Sequence, residues 1–149
     1  MPRNSLHKLK EEKLKKRHKF FLNPYEDSAF TKCPKCEAKT KIRKIPLVIH
    51  IEQQQLFLLN KQCRYCANCD LIITKQQEIE SLLAVSFSQS HSQFIGNDYS
   101  VIGTLDRQDW KEGNKGTLSP QKIMERIYGF QDVWDFEVIP AGWYPADET

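Results

Sequence analysis

From residue 40 onward the chain alternates short apolar runs with polar breaks, and the runs set out a series of small elements. Residues 40–51 (TKIRKIPLVIHI) are β-branched and partly alternating, which predicts a strand; Pro46 suggests an edge position or a bend. Residues 55–62 (QLFLLNKQ) predict a second strand, with Glu52–Gln54 as the connection, and Leu71–Thr74 a short third. The spacing of Ile79, Leu82, Leu83 and Ser86 then predicts one face of a helix near 76–87, with Glu78 and Glu80 opposite. The polar stretch 88–98 reads as a loop.

The last third changes style. Tyr99–Leu105 predicts a strand and 106–118 a long polar loop. A helix at 120–129 is signalled by Ser119 as N-cap, Pro120 at the first helical position, Ile123, Met124 and Ile127 on one face, and Gly129 as a stop. Val133–Ile139 predicts a strand with Trp134, Phe136 and Val138 on one side. At the other end, residues 5–21 predict a marginal helix capped by Ser5, whose apolar stripe is too ragged to stand alone. Residues 22–31 read as extended, because Asn23 precedes Pro24.

Charge divides the 149-residue chain. Its net +3 conceals 17 basic and 7 acidic side chains in residues 1–75, against 5 basic and 12 acidic in 76–149. The basic end suits a polyanion and the acidic end a protein partner. Mean hydropathy of −0.59 and the shortness of every apolar run exclude a membrane-spanning helix. The basic N-terminus lacks the apolar core of a secretion signal, which predicts a cytoplasmic protein.

The cysteines carry the most specific signal. Cys33-Pro-Lys-Cys36 is followed, after a predicted hairpin, by Cys63-Arg-Tyr-Cys66-Ala-Asn-Cys69. Two such turns brought side by side give a tetrahedral all-sulfur site, which suits zinc. Four ligands must be chosen from five cysteines. The residue after each knuckle must reverse the chain, often in a left-handed conformation that Asp tolerates better than Ala. Asp70 follows Cys69, whereas Ala67 follows Cys66, so the expected ligands are Cys33, Cys36, Cys66 and Cys69. An overlay of the two knuckles sets Cys63 opposite Phe30 as a buried strand side chain; Cys63 remains the alternative ligand. Cys63, Cys66 and Cys69 could instead hold three corners of an iron–sulfur cluster, though the fourth cysteine followed by proline is missing. A thioredoxin-like dithiol would need a helix after Cys36, where a β-branched strand follows.

On these knuckles, residues 30–74 resemble the zinc ribbon (rubredoxin-like) family, with Glu37 and Asp70 standing where that family most often has glycine. The segments LNPY, FTKCPKC, KIPLVIHI and LLNKQCRYCANCDLII further resemble an uncharacterised bacterial zinc-ribbon family. The resemblance implies a three-stranded ribbon around structural zinc, and a class found in transcription and translation machinery or as plain staples.

The expected fold is therefore α+β: a basic arm and extended linker over 1–29, a three-stranded zinc ribbon over 30–75, and an acidic unit of mixed α/β structure over 76–149. No Walker A, G-x-S-x-G or H-E-x-x-H motif occurs. The four histidines are scattered, and the G-x-x-G at Gly113–Gly116 lacks the helix a nucleic-acid clamp needs before it. Nothing in the sequence calls for an enzyme. The expected function is nucleic-acid or ribonucleoprotein binding through Lys15, Lys16, Arg17, Lys35, Lys39, Lys41, Arg43 and Lys44, with Lys32 nearby. The alternative is a protein interaction module in which the ribbon is only a staple.

Overall fold

The computed structural model describes residues 16–52, 55–88, 96 and 98–137. In chain order the elements are β1 (Lys19–Asn23), β2 (Lys41–Ile51), β3 (Gln55–Cys66), β4 (Leu71–Lys75), α1 (Gln76–Phe87), β5 (Tyr99–Thr104), α2 (Arg107–Asn114), α3 (Pro120–Arg126), β6 (Tyr128–Gly129) and β7 (Asp132–Val133). All seven strands join one sheet in the order β6-β5-β2-β3-β4-β1-β7. β6 and β7 are the two ends of a single segment. β6 pairs with β5 at one edge and β7 lies parallel to β1 at the other, so the sheet curls until both edges meet residues 128–133. Backbone bonds from Arg17 to Gly129, Gln131 to His18 and Trp134 to Phe20 fasten this strap along β1.

The side enclosed by the curl holds the main core: Phe20, Ile45, Leu47, Ile49, Ile51, Cys63, Ile72 and Phe130, with Ile79, Leu83 and Phe87 of α1. Phe130 stacks on Phe20 with ring centroids 4.6 Å apart. Helices α2 and α3 cover a second cluster around Val48, Leu105, Ile123 and Ile127. β2 is therefore covered on both faces, which is why residues 45–49 are all buried and its apolar run is nearly continuous. Pro46 fits because its nitrogen faces away from β3. The carbonyl on that same side accepts the Leu105 amide at 3.0 Å, so the β2–β3 ladder loses no bond.

The expected strands at 40–51, 55–62 and 71–74 and the helix at 76–87 are present, with β3 running on to Cys66. On α1 the buried stripe is Ile79, Leu83 and Phe87, while Leu82 is exposed. The three central strands do not form a separate ribbon. They lie in the middle of a sheet to which residues before 30 and after 75 also contribute.

Four further expectations change. The proposed helix over 5–21 lies mostly outside the described residues, and its end is strand β1, where Phe20 and Phe21 bury on opposite faces. Parallel pairing with β4 overrides the local helix propensity there. The expected loop at 106–118 contains α2, held by Trp110 in the α2/α3 cluster and by Arg126 bonded to Asp109 and Glu112. Gly113 packs closely within α2: a Cβ there would stand 2.6 Å from the Leu58 terminal methyl, which would have to shift. The helix begun at Pro120 is capped as expected, Ser119 Oγ accepting the Lys122 amide, but it ends at Arg126 and Gly129 belongs to β6. Of the strand expected at 133–139, only Val133 pairs, and Val138 and Ile139 lie outside the described residues. The loop expected at 88–98 falls largely outside them too.

Candidate metal centre

Two tight turns bring four sulfurs together at one end of the sheet. The first, Cys33–Cys36, is closed by backbone bonds from Cys33 to Ala38 and from Glu37 to Cys33, and the Lys35 amide points at Cys33 Sγ from 3.4 Å. The second links β3 to β4, with the Cys69 amide 3.4 Å from Cys66 Sγ. Both chains reverse through left-handed residues, Glu37 at φ 63° and Asp70 at φ 57°. Asp70 meets the sequence expectation, and Glu37 adopts the same strained conformation.

The sulfurs of Cys33, Cys36, Cys66 and Cys69 all lie within 4.8 Å of one another. Cys36 and Cys66 are 3.5 Å apart and Cys33 and Cys69 3.9 Å. A tetrahedron with metal–sulfur bonds of about 2.3 Å has edges of about 3.8 Å, so these two separations suit a single ion. The surroundings act on these thiols in opposite directions. Hydrogen bonds from Asn68 and the backbone at Ala38 lower Cys36, whereas burial and the neighbouring sulfurs raise Cys66 and Cys69. A metal ion held between the sulfurs would supply a counter-charge there.

The walls are apolar. Phe21, Leu71 and Ile73 pack beneath the sulfurs, with Phe30, Trp134 and Phe136 beside them. Trp134 ties the two knuckles together: Lys35 from the first and Lys19, which donates to the Cys69 carbonyl, both lie over its ring. The sequence placed Trp134 on one side of a predicted strand but gave no sign of this position. Nor did it show the network at Asp70, whose carboxylate accepts Tyr65 Oη at 2.6 Å and lies 2.6 Å from His18 Nδ1.

Cys63 stands outside the cluster. It sits in the main core, where Thr74 Oγ1 donates to its sulfur at 3.1 Å. The overlay with Phe30 does not hold, since Phe30 is a left-handed residue outside any strand, packed on Phe21. Burial pushes the Cys63 thiol up to about 11 from an ordinary value near 9. The folded chain thus holds this proton more tightly than the unfolded chain. The associated stability is complete below pH 9 and is lost as pH rises from 9 to 11, by about 2–3 kcal/mol in all. Urea unfolding of the parent and of Cys63→Ala across that range should show the extra alkaline loss in the parent only.

The candidate basic contacts scatter around this end. Lys35 and Lys39 lie on the first knuckle and are exposed, as is Lys32. In the β2–β3 register Lys41 faces Tyr65 and Arg43 faces Cys63, on the face opposite Lys44. Arg43 covers the Tyr65 ring at 4.7 Å. Lys16 is exposed. Arg17 is engaged internally, by Asp106 at 3.1 Å and the Tyr128 ring at 3.7 Å, and Lys15 lies outside the described residues. Among the described residues no helix is long and apolar enough to cross a membrane. Comparison with protein-family models, curated proteins and solved structures finds no match to this chain.

Proposed function

We propose that Cys33, Cys36, Cys66 and Cys69 hold one structural zinc ion in a ribbon-like pair of knuckles, and that the stapled end of the sheet presents basic side chains to a nucleic acid or ribonucleoprotein. The four-sulfur cluster carries the reading. Its edges suit a single ion, whereas an iron–sulfur cluster would spread the sulfurs farther apart, and all-sulfur tetrahedral ligation suits zinc. The cluster's surroundings support the second half. Lys32, Lys35, Lys39, Lys41, Arg43 and Lys44 form no ion pair with any described residue, so their charges are available to phosphates. With the metal bound, the knuckles and the start of β2 become one stiff support for these side chains.

Fluorescence anisotropy with a labelled single-stranded RNA tests the reading. Affinity should fall steeply with salt, with a log–log slope of about −0.7 for each phosphate neutralised. Charge reversal at Lys39, Lys41 and Arg43 should flatten that slope by about two units or more. Wild-type protein that binds no oligonucleotide, yet retains one polypeptide partner after nuclease treatment, would replace this reading with the interaction module.

A further inference from the structure

β3 and β4 pair only from Arg64 to Cys66, and beyond that point the strands part. A cleft of about 210 Å³ opens at the split, between the turn after β1, the basic half of β2 and the start of α1. Ile42, Arg64 and Ile73 form one cross-strand row, so all three project to the same face. Ile42, Ile73 and Ala29 supply the cleft's apolar wall, Arg64 and Lys75 its cations and Gln62 an amide. Lys44, directly opposite Gln62 in the register, adds a third cation on that face.

The charges of this cleft are unbalanced. Its carboxylate, Glu78, is already bound by Lys61 at 2.6 Å. Among the described residues Lys75 donates only to the neutral Glu26 carbonyl. Arg17, Arg43 and Arg126 each have a carboxylate or an aromatic partner; among the described residues Arg64 and Arg107 have neither, and Arg107 is exposed whereas Arg64 is half-buried. A guanidinium partly withdrawn from water and left without a counter-ion is set for a planar, two-point contact with an oxyanion.

We propose that this cleft grips a phosphate group, with Arg64 as its anchor and Lys75 and Lys44 supplying the surrounding field. The inference rests on the polyanion reading and deepens it, because it names the point at which one backbone phosphate is held in a recess instead of on an open surface. Arg64 was not among the contacts expected from the sequence, where it is simply the residue after Cys63.

The test compares wild type with Arg64→Gln, Arg64→Lys and Lys32→Gln, using labelled single-stranded RNA and, separately, inorganic phosphate as probes. A charge-assisted contact in a recess predicts that Arg64→Gln weakens RNA binding by about tenfold or more. Lys32→Gln, which removes an open-surface charge, should cost about fivefold at most. Arg64→Lys should recover part of the loss, since it restores the charge without the fork. Inorganic phosphate that binds wild type about as tightly as the RNA, and is lost in Arg64→Gln, would also support the cleft and assign it to a free phosphate ligand. Equal losses for Arg64→Gln and Lys32→Gln, with wild-type binding intact, would overturn the cleft and leave the polyanion reading standing. Wild-type protein that binds neither probe would overturn both.

Discussion

Cys66→Ser protein is expected to purify without stoichiometric metal and without a cooperative melting transition. Cys66 is fully buried, ends β3 and stands at the centre of the knuckle pair, its sulfur 3.5 Å from Cys36 and accepting the Cys69 amide. A hydroxyl there removes one ligand and puts a poor one against an apolar wall formed by Phe21, Leu71 and Ile73. Structural zinc in small domains supplies about 10–16 kcal/mol, against a total stability of about 5–15 kcal/mol for an ordinary domain. The segment from 24 to 40 has a single isolated bridge, Lys32 to Lys39, as its β pairing among the described residues, and its other ties are packing of Tyr25, Phe30 and Ala38 on the sulfur cluster and a few turn hydrogen bonds. Metal analysis and thermal circular dichroism on the full chain check both parts of this outcome. The same loss is expected when the parent is exhaustively chelated.

Phe130→Ala should destabilise the protein by about 3–5 kcal/mol while leaving one metal ion bound. Phe130 is the side chain that the strap puts into the core, stacked on Phe20. Truncating it leaves a void on the enclosed side of the sheet and weakens the segment that joins both edges. The close fit of that segment is visible at Gly103, where any Cβ would fall 2.4 Å from the Tyr128 carbonyl oxygen. Hydrogen exchange should quicken at the Arg17, Gln131 and Trp134 amides, the three backbone donors that fasten the strap. The midpoint of thermal unfolding should fall by about 10 °C. Because Phe130 belongs to a different cluster from the sulfurs, metal content separates this variant from Cys66→Ser.

These two variants also mark which features can be read from the chain without its structure. The four-cysteine cluster was legible because a knuckle is local. Two cysteines three apart, followed by a residue able to turn left-handed, define it within a few positions, and Asp70 against Ala67 was enough to choose the second pair. The β2–β3 hairpin, β4 and α1 were legible for the same reason, each carrying its own period. The strap was not. Its strands are two residues long, and their partners lie some 25 residues away in β5 and more than 100 away in β1. β1 was hidden because KFFLN buries both phenylalanines through pairing with a strand about 50 residues downstream, behind lysines that suggest a solvated arm. α2 was hidden because its sequence is polar and contains a glycine, which in the fold lies against the Leu58 side chain. Arg64 escaped notice for a different reason. A cation without a counter-ion is recognisable only once the positions of all the acids are known.

The claim on which the rest depends is that four thiolates share one ion and thereby fix residues 24–40 against the sheet. X-ray absorption at the zinc edge of freshly purified full-length protein addresses it most directly. The proposal predicts one zinc per chain with four sulfur neighbours at about 2.3 Å and no light-atom ligand. A first shell containing nitrogen or oxygen, or folded protein carrying no zinc, would contradict it.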